Sequence, residues 1–468
     1  MDSSARPLDA LRAFRDSFYQ CFDRRADALF ELTDALLTAG TVSSPPHLSL
    51  AAVHRRGWGS LYAALSKGRI NEENLRDLLA RRPLRDDSRG ASPIYAVDIS
   101  VWPRCDAEAS PERGFYYHPS RHSAGQPIVA GWAYQFVAKL GFSRDSWVAP
   151  VDVRRVKPAQ DANEVAVEQL KELLGRLPER EAVPLFVFDA GYDPVKLQRG
   201  LADHPRARIP RARIPRARIP RARILVRLHS NRSFYAAPEE VEPRPVGRPR
   251  RHGKKFALPD PETWPEPAHE HRCHTEDHGS VRVRAWTKLH PKTRRIGERY
   301  GCEKAPVVQG TVILVEVSQL PRETRKPKKL WLWFSGDDER PDLGLLWRAY
   351  VRRFDLEHAF RFLKQTLGWI APRVRHPEQA DRWTWLVLAA YAQLRLARPC
   401  VADLRLPWER PQRHRRLTPC RVLRGFAALL AAVGTPADAP KPCGRSPGRP
   451  KGRLSGRAKR YPALKKTA

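Results

Sequence analysis

Apolar positions recur at helical spacing through the first 88 residues. Leu8, Leu11, Phe14, Phe18 and Phe22 share a face, and residues 28–37 continue the pattern. Ser43-Ser44-Pro45-Pro46 breaks it, and residues 48–66 and 72–79 resume it. The spacing predicts an all-helical N-terminal domain over 1–88, either a DNA-binding domain or a plain helical packing module. From Ile94 the period shortens. Residues 94–101, 129–137 and 147–153 read as strands, 161–174 as an amphipathic helix, and 184–189 as a short buried strand ending in an acid. Ala190-Gly191-Tyr192 then forms a turn, and Asp193 caps a helix that starts at Pro194. A strand follows at 223–228, and 281–289, 311–317 and 330–334 are the clearest strands of a Pro-rich, basic stretch. Residues 345–367 contain neither Pro nor Gly and read as one helix, with Leu345, Leu356, Phe360, Leu363 and Leu367 as its apolar stripe. A second helix spans 380–396. The class is α/β.

Two segments carry no such period. Residues 205–224 hold four copies of Pro-Arg-Ala-Arg-Ile. A Pro every fifth residue forbids helix and interrupts a ladder, so only the last copy runs into a strand. The tail from 441 to 468 has ten Lys or Arg and no acid, which predicts a basic disordered tail.

Charge narrows the partners. Lys and Arg number 85 against 51 acids, a formal net charge of +34. A field of that sign selects a polyanion, and nucleic acid is the first candidate. The longest near-apolar run, 383–392, is too short to span a bilayer. Seven Cys without CxxC spacing and a polar N-terminus predict a reducing, cytoplasmic location with access to DNA.

The candidate chemistry lies in Tyr350, Arg353, Glu357 and Lys364, spaced Y-x2-R-x3-E-x6-K. On one continuous helix these offsets fall within an arc of roughly 60°. A carboxylate flanked by cations suits a site that holds both a metal ion and phosphates; an exposed face of ion pairs has the same composition. Asp98 on the first strand and Asp189 at the end of the fourth stand out, because an acid inside an apolar run is costly without a cation or hydrogen bonds. Asp152, Asp193 and Asp355 are the competing acids. Phosphodiester cleavage by two Mg²⁺ ions needs about three carboxylates drawn from separate elements.

The order Asp98, Asp189, Glu357, together with the Tyr350-Arg353-Glu357-Lys364 signature, resembles the DDE transposases of bacterial insertion sequences that carry the YREK motif. The resemblance covers roughly residues 90–400. It implies a ribonuclease H-like core over 90–230 and 341–400 with a β-rich insertion over 231–340; residues 401–440 read separately as a C-terminal helical region. Asp98, Asp189 and Glu357 would coordinate two Mg²⁺ ions, with Mn²⁺ able to substitute. Tyr350 and Arg353 would hold phosphates near the transposon end, and Lys364 would contact the end strand. Trp331 or Trp333 would stack an extruded base, although alternate indoles equally suit a packed strand. The implied partners are terminal inverted repeats and target DNA. The implied state is a homodimer associated with the nucleoid, and the implied activity is cut-and-paste transposition. The alternative is an inactive relative that only binds DNA, since the pentapeptide expansion falls between the second Asp and the Glu.

His269, His271, Cys273, His274 and His278 form a ligand-rich stretch with no common zinc spacing, either a metal site or an exposed loop. The Gly-Arg-Pro cores at 247–249 and 448–450 resemble AT-hooks.

Overall fold

The computed structural model describes residues 5–81, 92–118, 127–143, 145–178, 182–202, 222–239, 250–292, 307–321, 326–336, 339–411, 417–442, 451–452 and 456–465. Most of the pentapeptide expansion and both Gly-Arg-Pro cores lie outside these residues.

The chain begins with α1 (Ala5–Tyr19), β1 (Phe22–Arg24), α2 (Ala26–Thr38), α3 (Pro45–Leu48), α4 (Trp58–Lys67), β2 (Arg69–Ile70) and α5 (Glu72–Ala80). The expectation of an all-helical N-terminal region is therefore corrected: β1 and β2 pair antiparallel, with Phe22 opposite Ile70. Strands of three and two residues are too short to show a two-residue period. Next come β3 (Ile94–Pro103), β4 (Gly114–Tyr117), β5 (Ile128–Leu140), β6 (Val148–Val156), α6 (Ala162–Arg176), β7 (Leu185–Phe188), α7 (Pro194–Ala202) and β8 (Arg223–Leu228). They are followed by β9 (Ser233–Tyr235), β10 (Lys255–Ala257), β11 (His269–Thr275), β12 (Gly279–Pro291), β13 (Gly310–Val317) and β14 (Leu330–Phe334). The last helices are α8 (Leu343–Arg352), α9 (Phe354–Gln365), α10 (Pro377–Ala397) and α11 (Pro419–Val433). Among the described residues, no helix is long and apolar enough to cross a membrane.

The chain divides into two compact units. The first comprises Met1–Arg89, Asp98–Asp161 and Asp355–Ala468; the second comprises Gly90–Val97 and Ala162–Phe354. In the first unit α10 is apolar nearly all round, with Trp383, Leu386, Leu388, Tyr391 and Leu394 fully buried. A helix of that kind needs cover on every side, and it packs against α1, α2, α4, α11 and β6. The N-terminal helices thus share a core with α10 and do not form a domain of their own. Arg15 of α1 fixes the arrangement. Its guanidinium donates to both Asp34 carboxylate oxygens at 2.7 and 3.0 Å and to Gln393 Oε1 at 2.8 Å. In the same unit β5 pairs antiparallel with β4 and β6.

In the second unit, residues 94–97 of β3 run parallel to β7, and β7 runs parallel to β8. Parallel neighbours need crossover connections, and α6 and α7 supply them. β14, β13, β12 and β11 then extend the ladder antiparallel from β8. The mixed sheet with these crossovers fits the ribonuclease H-like expectation. The predicted strands at 281–289, 311–317 and 330–334 fall within β12, β13 and β14.

The single helix expected at 345–367 is interrupted. Arg353 ends α8 with helical dihedrals, and its N–H is shared between the carbonyls of Ala349 and Tyr350, both at 3.2 Å. Such a shared bond marks a locally tightened turn, and the boundary between the units falls one residue later. The arc drawn for a continuous helix therefore does not carry over unchanged. The basic tail is also ordered in part. Residues 456–465 run beside β4, where Leu464 bridges Gly114.

Candidate active site

The ladder between β3 and β7 ends at Val97 opposite Phe188, and the next residue in each strand is an acid, Asp98 and Asp189. Residues 94–97 and 185–188 are wholly buried. An ionised carboxylate within either run would be desolvated without compensation, so the end of the apolar run is the least costly place for it. Both acids are half-buried. Asp98 accepts from the Ile99 N–H at 2.8 Å, and Asp189 accepts from the Gly191 N–H at 2.8 Å in the predicted turn.

Glu357 and Lys364 stand on α9, in the same unit as Asp98. Glu357 is exposed and Lys364 half-buried. Burial lowers the Lys364 pKa, while the charges of Glu357 and Asp98 act in the opposite direction. One ammonium therefore senses both carboxylates, although Asp98 and Glu357 lie 259 positions apart in sequence (98 to 357). The ammonium also sits 5.8 Å from the Trp369 ring. Aromatic packing holds this geometry. Phe136 of β5 meets Phe360, one turn beyond Glu357, at 4.9 Å and Trp369 at 5.2 Å. Trp369 meets Trp102 of β3 at 6.0 Å. Edge-to-face rings at such spacings add to ordinary burial, and they tie β3 to α9 within the unit.

Tyr350 and Arg353 belong to the second unit, and only 2% and 3% of their surfaces are exposed. The Arg353 guanidinium lies 5.7 Å from the Tyr350 ring and 5.0 Å from the Phe354 ring. Burial raises the Tyr350 pKa, opposed by the charges of Arg353 and of Arg227 on β8. Sequence reasoning missed Arg227, an exposed cation between buried Val226 and Leu228. Its alternation within β8 was the available signal, but nothing local links β8 to α8.

Trp331 and Trp333 are 2% and 0% exposed. Trp331 packs against Trp264 at 5.1 Å, and Trp333 stacks on Phe234 at 5.5 Å while its indole N–H donates to Gln198. The alternate pair is thus used in packing, with neither ring offered to a base in this conformation.

Two of the competing acids have other work. Asp152 is buried in an ion pair with Arg76 at 2.7 Å. Asp193 accepts from the Val195 and Lys196 N–H groups at 2.8 and 3.2 Å, as an N-cap does. Asp355 is buried in the first turn of α9. Among the described residues, no three His, Cys, Asp or Glu side chains gather closely enough to hold a metal ion. That includes the stretch from His269 to His278, which is a strand and turn and not the exposed loop offered as one alternative. It forms β11 and its turn into β12, with His269, His271 and Cys273 on the less exposed face.

Residues 149–392 match the family model described as transposase DDE domain. Residues 17–222 match one described as DDE superfamily endonuclease. No curated protein matches the chain.

Proposed function

We propose that this chain, which belongs to the transposase DDE domain family, is a cut-and-paste DNA transposase of a bacterial insertion sequence of the YREK type. The observation that carries the reading is that an acid follows directly on the paired, buried ends of β3 and β7 within a DDE family match, with Asp98 and Glu357 both acting on the half-buried Lys364 ammonium. Those carboxylates, with Asp189 at the matching strand end, are the proposed ligands of two Mg²⁺ ions, and Mn²⁺ would substitute. Oxygen donors at partly exposed positions suit a hard cation that keeps some of its waters. When bound, the ions activate a water or 3′-hydroxyl and stabilise the leaving oxygen.

The chain's own groups supply the rest. Lys364 contacts the backbone of the end strand, and its position beside Glu357 and Asp98 directs that strand toward the carboxylates. Arg227, the exposed member of its trio, meets a neighbouring phosphate, with Tyr350 and Arg353 fixed behind it. The net charge of +34 draws in terminal repeats and target DNA alike. Two ends must be held at once, so the working form is a homodimer, acting at the nucleoid.

In the test, a terminal-repeat duplex is incubated with Mg²⁺ and full-length Asp98→Asn, Asp189→Asn or Glu357→Gln. Each variant should cleave about 10²–10³-fold more slowly than wild type, the scale of losing a principal electrostatic group, with DNA affinity retained. Wild-type rates in all three would overturn the assignment. A second reading, in which the chain is an inactive relative that binds DNA, rests on the pentapeptide expansion, which falls between Asp189 and Glu357. It predicts that wild type binds the ends but does not cut with either Mg²⁺ or Mn²⁺.

A further inference from the structure

A second basic feature lies on the first unit, in the part of the tail that sequence reasoning assigned to disorder. A cavity of about 580 Å³ is lined by five arginines: Arg104 just beyond β3, Arg373 and Arg375 ahead of α10, and Arg457 and Arg460 from the C-terminal segment. The segment is held there by backbone bonds. The Tyr461 N–H donates to the Glu108 carbonyl at 2.8 Å, and the Leu464 N–H donates to the Arg113 carbonyl at 2.7 Å. Arg113 returns a bond to the Tyr461 carbonyl at 2.8 Å.

The charges in this cavity do not balance. Its two acids, Asp106 and Glu108, pair with Arg373 at 3.5 Å and Arg460 at 3.3 Å. Arg104, Arg375 and Arg457 remain in excess. Arg104 is 92% buried, since 8% of its surface is exposed. It donates to the Val374 carbonyl at 2.9 Å, but its Nε is buried without a hydrogen-bond partner among the described residues. Burial lowers its pKa, the charge of Asp106 opposes that shift, and the like charges of Arg373 and Arg113 add to it. A desolvated guanidinium facing other cations is costly alone and is stabilised by an oxyanion that accepts several N–H groups.

We propose that the C-terminal segment completes a phosphate-binding site with Arg104, Arg375 and Arg457 that grips the DNA backbone away from the catalytic carboxylates. The identification of DNA rests on the transposase reading; the anion site itself does not. Arg104 follows Asp98 by six strand residues, about 20 Å at about 3.3 Å per residue. The anion site is therefore separate from the catalytic carboxylates along β3.

Arg375 and Arg457 are both exposed, so Arg375→Ala/Arg457→Ala should fold as wild type does, with an unchanged Tm. Binding of a 30-base-pair duplex by the full chain is followed by anisotropy between about 0.05 and 0.3 M salt. Each lost phosphate contact takes about 0.9 from the slope of log K against log salt. The double variant should therefore lose about 1.8 from the slope and about 60-fold in affinity at 0.1 M salt. The control Arg69→Ala/Arg81→Ala removes equal charge from exposed sites in the N-terminal region and should keep the wild-type slope. An unchanged slope in the first variant, or an equal fall in the control, overturns the proposal. So does calorimetric binding of inorganic phosphate that the double variant loses while its DNA slope is unchanged, because the site would then take the free ion. Cleavage separates the two readings. A wild type that never cuts but shows the slope loss defeats the transposase mechanism and leaves this site standing; a wild type that cuts, with no slope loss, does the reverse.

Discussion

Arg15→Met tests whether the N-terminal helices belong to the same folding unit as α10. Arg15 and Asp34 are both almost completely buried, with side chains 2% and 4% exposed. The guanidinium also reaches Gln393 Oε1 at 2.8 Å and the Gly434 carbonyl at 2.9 Å. Methionine keeps much of the volume but leaves the Asp34 carboxylate without its cation. Removing one partner of a buried pair costs about 3–5 kcal/mol, which in a unit of this size corresponds to a fall in Tm of roughly 6–20 °C. Desolvation already raises the Asp34 pKa, and Arg15 lowers it; without Arg15 the pKa rises further. For an acid with a raised folded pKa, stability is fully present below the unfolded value and is lost as pH rises through the folded one. The deficit of the variant should therefore shrink as pH falls toward the ordinary carboxylate range and grow toward neutrality. Adding Asp34→Leu should restore much of the loss, because an apolar pair of similar volume is often neutral or stabilising. The assay is calorimetric unfolding of the full chain between about pH 5 and pH 8. A Tm within about 2 °C of wild type, or a deficit independent of pH, would refute both the shared core and the role given to the pair.

Other substitutions probe the scaffold of the site. In Gly131→Ala the new Cβ would lie 2.2 Å from the Trp102 carbonyl. β3 must then shift, and thermal unfolding should register a loss of about 1–3 kcal/mol together with reduced cleavage. Asp193→Ala removes the acceptor of two N–H groups at the start of α7 and should cost about 1 kcal/mol in chemical denaturation. Thr384→Val removes the acceptor of the buried Trp369 indole N–H, 2.9 Å away. The unmet donor should cost about 1–3 kcal/mol, and intrinsic fluorescence during unfolding would follow it.

Some of this was readable in the sequence, and the reasons are local. Asp98 and Asp189 showed themselves because each ends a run of buried apolar residues, a pattern set by burial on both faces of neighbouring parallel strands. The cap at Asp193 and Pro194 follows from the backbone alone. What sequence reasoning could not reach depends on distant partners. Nothing near α1 reveals that Arg15 bonds to Gln393, 378 positions away, so the run of helices looks like a domain of its own in the sequence. β1 and β2 are stabilised by each other and are too short to declare a period. β11 was hidden because its alternation uses His and Cys, which invite a metal reading before a strand. The cavity arginines come from three separated stretches of chain, and in isolation each resembles an ordinary basic surface residue.

The central claim is that Asp98, Asp189 and Glu357 hold divalent cations against a DNA backbone. Its most direct test is anomalous diffraction from crystals of the full chain grown with Mn²⁺ and terminal-repeat DNA. The account predicts strong peaks within ligand distance of all three carboxylates. Peaks bound only by other residues, or ordered DNA with no ion at those carboxylates, would contradict it.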